Sequence, residues 1–385
     1  MIAPKNWIRL WSIVFFLSSL AFSGFGQEER GVTKLWNKFF NDTIKTGKPK
    51  FIAYPVVGYT PETSWEFGAG ALMVYNAKKD LDNRLSELYA FSFLTLENQY
   101  GLWIDHALYT DQNNYFLLGK FRLQQFPLAY YGIGVDTPDE PVAKIEGFAL
   151  TLRERWLRKL KDDFYAGLEI DLNHLSSVRI SDVTSDFSNP SGTEGYTNFG
   201  LGIGLVYDQR YNVLNPREGV FLEGAFLHYD GNWGSDYTFQ DYFLDFRYYQ
   251  PTFKNQVLAY QMYWNLTSPS DEGAVPFNQL SLMGGESLMR GYYTGRYRDN
   301  LLVATQAEYR FLPLPFSKHF GATLFAGVGA VSPGVVDLKM DQVRASGGLG
   351  VRYLLFPSKD VYTRFDVAAT TGEGLGYYFF IGEAF

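Results

Sequence analysis

From residue 51 to residue 385 the chain reads as one strand after another. Apolar side chains alternate with polar or small ones at a period of two, and turn-forming residues separate the runs. Candidate strands span 51–58, 64–76, 87–96, 99–110, 114–124, 142–158, 164–174 and 197–208, then 219–229, 237–250, 256–267, 300–312, 320–331, 343–356, 360–370 and 374–385, sixteen in all. In the last of them Leu375, Tyr377, Phe379, Ile381 and Phe385 share one face, and Gly376, Tyr378, Phe380 and Gly382 share the other. The least regular is 142–158, whose end LRERWLRKL has helical character and reads as strand only in the company of its neighbours. An even set of antiparallel strands can close on itself, which removes both sheet edges and gives every backbone group a partner without water.

Composition decides what such a closed sheet would sit in. Aromatic residues make up 18%, there are 38 glycines, and hydrophobic residues reach 46%, yet mean hydropathy is −0.16. After the N-terminus no stretch approaches the roughly 18 uninterrupted apolar residues that a membrane helix needs. A chain rich in aromatics and glycine but only mildly hydrophobic suits a transmembrane β-barrel, where lipid-facing and lumen-facing residues alternate. The chain has no cysteine, which removes disulfides and thiolate metal sites, and its net charge of −7 argues against a nucleic-acid partner.

Loop lengths agree with a bacterial barrel. The connections 159–163, 251–255, 313–319 and 357–359 follow even-numbered strands and are short, whereas 125–141, 175–196 and 268–299 follow odd-numbered ones and are long. Residues 77–86 and 209–218 are longer than that scheme wants. Residues 1–26 read as a secretory leader: Lys5 and Arg9 precede the apolar run 10–22, and Gly24 and Gly26 lead to a cleavage point before Gln27. Residues 27–50 show a helical period through Val32, Leu35, Trp36, Phe39, Phe40 and Ile44, which predicts a short helix at the periplasmic mouth or in the lumen.

The stretch 284–299, GGESLMRGYYTGRYRD, gathers Arg290, Arg296 and Arg298 with Tyr292, Tyr293 and Tyr297 around Gly284, Gly285 and Gly291. It falls in an outer loop by the parity of the strands.

GGESLMRGY resembles the glycine-pair and Arg-Gly-aromatic motif in the sixth outer loop of the BamA/TamA superfamily, the bacterial surface antigen family. YDQRYNVLNPREGVFLEGAF resembles that family's turn between strands eight and nine. ATQAEYRFLPLP is similar to its twelfth strand, RFDVA to its Arg-x-Asp near the end of the barrel, and GYYFFIGEAF to its closing strand. The resemblance covers residues 51–385 and implies a sixteen-stranded antiparallel transmembrane β-barrel whose long sixth outer loop folds into the lumen. It implies that Arg290 meets Glu308 on the barrel wall, with Gly291 letting the backbone turn beside it. Two departures stand out. Only residues 27–50 occupy the place of the family's periplasmic polypeptide-transport-associated domains, and Gly327 stands where the thirteenth strand usually carries an Asp. Asp366, or a water, is expected to fill the second place beside Arg290.

No G-x-S-x-G elbow, H-E-x-x-H pair or P-loop is present. His174 with Ser176 and Ser177 could imitate part of a hydrolase site, but the simpler reading is a histidine at a strand end. No metal and no cofactor are expected. The resemblance implies insertion or translocation of other proteins at the bacterial outer membrane. The seam between the first and last strands would do this, with Pro55 and Phe385 marking the two sides. Expected partners are outer-membrane lipid, client outer-membrane proteins, and periplasmic chaperones or assembly subunits. The competing readings are a passive pore or structural barrel that has lost the assembly role, and an outer-membrane enzyme.

Overall fold

A computed structural model describes residues 47–60, 64–96, 98–270 and 273–385. The expected leader 1–26 lies outside the described residues, and so do residues 27–46 of the expected helix. The described end of that stretch is not helical, and Lys50 opens the first strand.

The strands are β1 (Lys50–Thr60), β2 (Ser64–Asn76), β3 (Leu85–Thr95), β4 (Tyr100–Tyr109), β5 (Tyr115–Tyr130), β6 (Ala143–Lys161), β7 (Phe164–Ser181), β8 (Tyr196–Asp208) and β9 (Gly219–Tyr229). They continue as β10 (Phe239–Pro251), β11 (Gln256–Pro269), the short β12 (Ser281–Met283) and β13 (Tyr297–Asp299), β14 (Leu301–Phe311), β15 (Phe320–Ser332), β16 (Arg344–Phe356), β17 (Val361–Thr370) and β18 (Gly376–Ile381). All but β12 and β13 form one sixteen-stranded antiparallel sheet in chain order, while β12 and β13 pair with each other inside the connection from β11 to β14. The sheet coils so that both of its ends pack on shared residues at one rim. There Ile52 of β1 and Ile381 of β18 pack on a single apolar cluster, and Lys359, after β16, donates to the Asn76 side chain at the end of β2 (2.7 Å).

β5 and β7 run on to Tyr130 and Ser181, past the expected ends at 124 and 174, and the two end strands of the sheet also differ from their sequence reading, whereas 142–158 is a strand as read. The stretch with helical character is the longest strand, β6, at 19 residues. Its neighbours β5 and β7 pair along it almost without a break, and this ladder overrides local propensity. The first strand is not short: β1 has 11 residues, and Pro55 lies within its ladder opposite Ala69. The closing strand is the short one, six residues long. At Gly382, with φ +94°, the chain leaves the sheet. Phe385 therefore does not lie along the end strand. It turns into the lumen against Tyr249, Val257 and Ala259. Arg310 draws it there, donating to the Phe385 main-chain oxygen (2.9 Å) with its guanidinium 5.2 Å from the ring centre.

Alternation sorts the two faces. On the inner face of the wall opposite the long loop, Asp105 pairs with Arg122 (2.7 Å), Glu169 with Arg153 (2.5 Å) and Arg155 (2.6 Å), and Asp245 with Arg247 (2.5 Å). A cavity of about 320 Å³ remains there, lined by Asp105, Lys120, Arg153 and Glu223 among others. The outer face exposes large apolar side chains such as Trp156, Leu168, Ile203, Leu258, Leu324 and Leu349. Charge inside and hydrocarbon outside is the arrangement that a membrane-spanning barrel requires. Trp156 is on the outer face, whereas Trp103 points inward and donates its indole N–H to Gln124 (2.7 Å). In bilayers containing brominated acyl chains, a variant retaining only Trp156 should lose most of its fluorescence, and one retaining only Trp103 should keep it. Equal quenching of both would contradict the face assignment.

Candidate functional site

The connection between β11 and β14 turns inward at its paired glycines. Gly284 and Gly285 both have positive φ, +111° and +122°. A Cβ at Gly284 would stand 2.2 Å from the Tyr293 carbonyl oxygen, so no other residue fits. Between them and β13 the loop descends along the inner wall of β14–β18. Met283, Met289, Tyr292 and Tyr297 pack there on Leu302, Ala304 and Val331.

At the bottom of this descent lies Arg290, which is 1% exposed. One of its terminal nitrogens meets Glu308 of β14, and the other donates to Asp366 of β17 at 2.5 Å. Its guanidinium also lies over Phe325 of β15, 3.6 Å from the ring centre. The clamp thus spans four consecutive strands. Gly350 of β16 makes room for it, because a Cβ there would collide with Asp366 and Arg352. Both carboxylates are shared. Arg310 donates to Glu308 (2.7 Å), and Arg352 (2.5 Å) and Arg364 (3.0 Å) donate to Asp366, while Arg352 also reaches Glu383 (2.9 Å). The result is a continuous buried network in which no carboxylate depends on one partner, the condition under which charges persist away from water.

The neighbours of Arg290 fix the loop to the last strands. Gly291 has φ +110°, a Cβ there would meet Thr370 at 2.4 Å, and its N–H donates to the Tyr378 hydroxyl of β18 (2.8 Å). The Tyr292 hydroxyl donates to a main-chain oxygen, that of Ala345 (3.0 Å) or Thr371 (3.1 Å). Nearer the outer mouth, Arg296 pairs with Glu373 and donates to Thr137 (2.6 Å). Arg298 is held by the Gly295 (2.9 Å) and Phe277 (3.3 Å) carbonyls, and burial lowers it to about 10, still charged at neutral pH.

The geometry brings Arg290, Gly291, Tyr292, Glu308 and Asp366 together. Pro55 is apart from them, on the exposed face of β1, and Phe385 reaches the network only through Arg310. Gly327 lies under the loop: a Cβ there would stand 2.9 Å from the Gln306 Cβ and 3.3 Å from the Met289 sulfur. Arg310, Arg352, Glu383 and Phe325 were not singled out from the sequence, and Arg364 and Tyr378 were named there only as part of the Arg-x-Asp motif and of the closing strand. The alternation rule could have found Arg310 and Arg364, each two residues from a named carboxylate and so on its face. His174 bonds to Thr197 through Nδ1 (2.8 Å). Among the described residues no group of three or more His, Asp or Glu is placed to hold a metal ion.

A profile of the Omp85 superfamily domain matches residues 112–385. Among solved structures the fold is similar to BamA from Haemophilus ducreyi lacking POTRA domains 1–3, with a TM-score of 0.54 at 14% identity, over 95% of this chain and 81% of that one. It is also similar to CdiB from Acinetobacter baumannii (TM-score 0.50, 13% identity, 86% of this chain and 58% of that one). CdiB from Escherichia coli aligns comparably (TM-score 0.52, 11% identity, 86% and 62%). The chain therefore spans less than two thirds of either CdiB, and at these identities the likeness is one of fold. No curated protein sequence matches it.

Arg290→Ala would leave two buried carboxylates short of a partner, a change that costs about 3–5 kcal/mol in such sites. The variant should lose resistance to heat in a gel-mobility assay and expose the loop to protease. Arg290→Glu with Glu308→Arg should restore little, because Asp366 and Arg310 would then each face a like charge. Full recovery in that double variant would show the contact to be a simple pair.

Proposed function

The chain belongs to the Omp85 superfamily, and on that premise we propose that its barrel inserts or translocates other proteins at the bacterial outer membrane by exchange at the two ends of its sheet. The family makes it an outer-membrane β-barrel of the BamA/TamA type. The particular role rests on one observation. β18 pairs with β17 at only six positions, Thr363↔Ile381 to Ala368↔Gly376, whereas β1 pairs with β2 at eleven. Ladder length sets how much backbone pairing a competing strand must replace, so β18 is the weakest member of the sheet to displace. Pro55 adds to this from the other end, since β1 has one N–H fewer to offer.

In this reading Arg290, Glu308 and Asp366 have no chemical step. They hold the wall of β14–β17 rigid next to a mobile edge, so that exchange is confined to β18 and β1. Clients are unfolded outer-membrane proteins offering a strand, delivered by periplasmic chaperones or assembly subunits, and surrounding lipid receives the product. Residues 1–26 act as a leader removed on export. A second reading, a passive pore, draws on the charged cavity between Asp105 and Glu223.

Purified barrel in liposomes should raise the folding rate of a urea-unfolded small barrel protein several-fold over liposomes bearing an unrelated barrel at equal density. Ionic conductance without any such acceleration would replace this reading by the pore.

A further inference from the structure

The connection between β8 and β9, residues 209–218, is longer than a periplasmic turn needs to be. Its position makes the extra length meaningful. β8 and β9 are the eighth and ninth of sixteen strands, so they stand across the barrel from its two end strands. Yet the contacts of this connection are made at those ends. The Tyr211 hydroxyl donates to the Leu81 carbonyl before β3 (2.7 Å). The Asn212 side chain donates to the Lys359 carbonyl (2.8 Å) and the Asn215 side chain to Asp360 (3.0 Å), both after β16. The Leu214 carbonyl accepts from the Glu383 N–H just beyond β18 (2.8 Å). Leu214 itself sits in the cluster of Leu72, Val74, Leu355, Phe356 and Val361, against which Ile52 and Ile381 pack.

We infer that this connection is a strap that crosses the periplasmic mouth and holds the first and last strands together, with Leu214 as its bolt. Six residues from 209 to 214 reach about 20 Å when extended, enough to span a sixteen-stranded lumen in part and meet the turns coming from the other side. The strap is built for that posture. Asn212 accepts from the N–H groups of Leu214 (3.0 Å) and Asn215 (3.3 Å), which presets the bend, and Arg210 anchors the near end on Asp208 (3.0 Å) and over the Phe221 ring at 3.8 Å. Arg217 ties the returning limb to Asp360 (2.7 Å) and to the Leu312 carbonyl (2.7 Å). At its tip a Cβ on Gly382 would stand 2.9 Å from the Leu214 side chain, so the tail after β18 is shaped to receive it. The inference rests on the proposed exchange at the sheet ends: the strap is then a positioning element that keeps β18 and β1 in register until something in the periplasm lifts it.

Two loosened variants, Leu214→Ala and Asn212→Ala with Asn215→Ala, test this in reconstituted protein. Amide hydrogen exchange across β18 should speed up by at least about tenfold while β8 and β9 stay protected. A locked variant supplies the converse. Leu214→Cys with Gly382→Cys puts two Cβ atoms 3.7 Å apart in a chain that has no other cysteine, within the range of a disulfide. Because Gly382 has positive φ, the single Gly382→Cys variant is its reference. Oxidation should slow exchange in β18 and suppress client insertion, and reduction should restore both. Unchanged exchange in β18 in both loosened variants would overturn the strap. Faster exchange with insertion unaffected by loosening or locking would leave the strap standing and overturn the reading of the sheet ends as the point of exchange.

Discussion

A guanidinium buried in a barrel lumen governs the position of everything around it. Arg290 cannot lie in that site unless Glu308 and Asp366 are there to receive it, and neither carboxylate can stay ionised there without its arginines. Such an arrangement has no half-formed state of low energy. The loop is either seated, with Tyr292, Met289 and Met283 packed on the wall, or withdrawn, with those groups exposed and the charges unpaired. The paired glycines, the Gly350 gap and the flat Phe325 ring are the steric conditions that let the seated state exist. The four strands under the clamp become one stiff panel, and softness is left to the panel's neighbour, β18.

The strap from β8–β9 complements this from the opposite mouth. The clamp reaches the sheet end from above by way of Gly291 and Tyr378, and the strap reaches it from below by way of Leu214 and Glu383. Between these two attachments β18 has six residues of ladder. The short strand is therefore less exposed to fraying than its length alone suggests.

Much of the fold was legible because a period of two is hard to disguise. Alternation located all sixteen barrel strands, thirteen of them to within three residues at each end, and loop parity put the long loops on one side, though β5 and β7 run on to Tyr130 and Ser181, past their expected ends at 124 and 174. β6 looked helical because Arg153, Arg155, Arg158 and Lys159 are good helix formers, yet the inward-facing ones, Arg153 and Arg155, are partners for Glu169 across the ladder. Local propensity carries no information about a carboxylate on the next strand. The last strand was read too long for a related reason. The alternation of residues 374–385 continues past Ile381, but Arg310 captures the final residue, and that contact spans 75 positions of sequence. Arg290, Glu308 and Asp366 were legible through family resemblance. Of the arginines that share their carboxylates, Arg310 and Arg364 needed only the alternation rule along the same strands, whereas Arg352 comes from β16 and only the ladder brings it to Asp366.

The clamp also orders events in time. Gly291 of the loop lies against Gly376 of β18, where a Cβ on Gly376 would come within 2.9 Å of the Gly291 Cα. A loop arriving after the sheet had closed would have to carry a bare guanidinium through a narrowing mouth and past strands already zipped. Charge and closeness both favour the reverse sequence: the loop settles on β14 and β15 while the sheet is still open, and β17 and β18 then fold onto it. Long-range closure is the slow part of assembling any β-topology, since its entropy is lost before its contacts form. By presenting Arg290 as a waiting counter-ion for Asp366, the seated loop turns that last closure into the completion of an ion network, so a chain whose loop is misplaced stalls with its final strands unjoined.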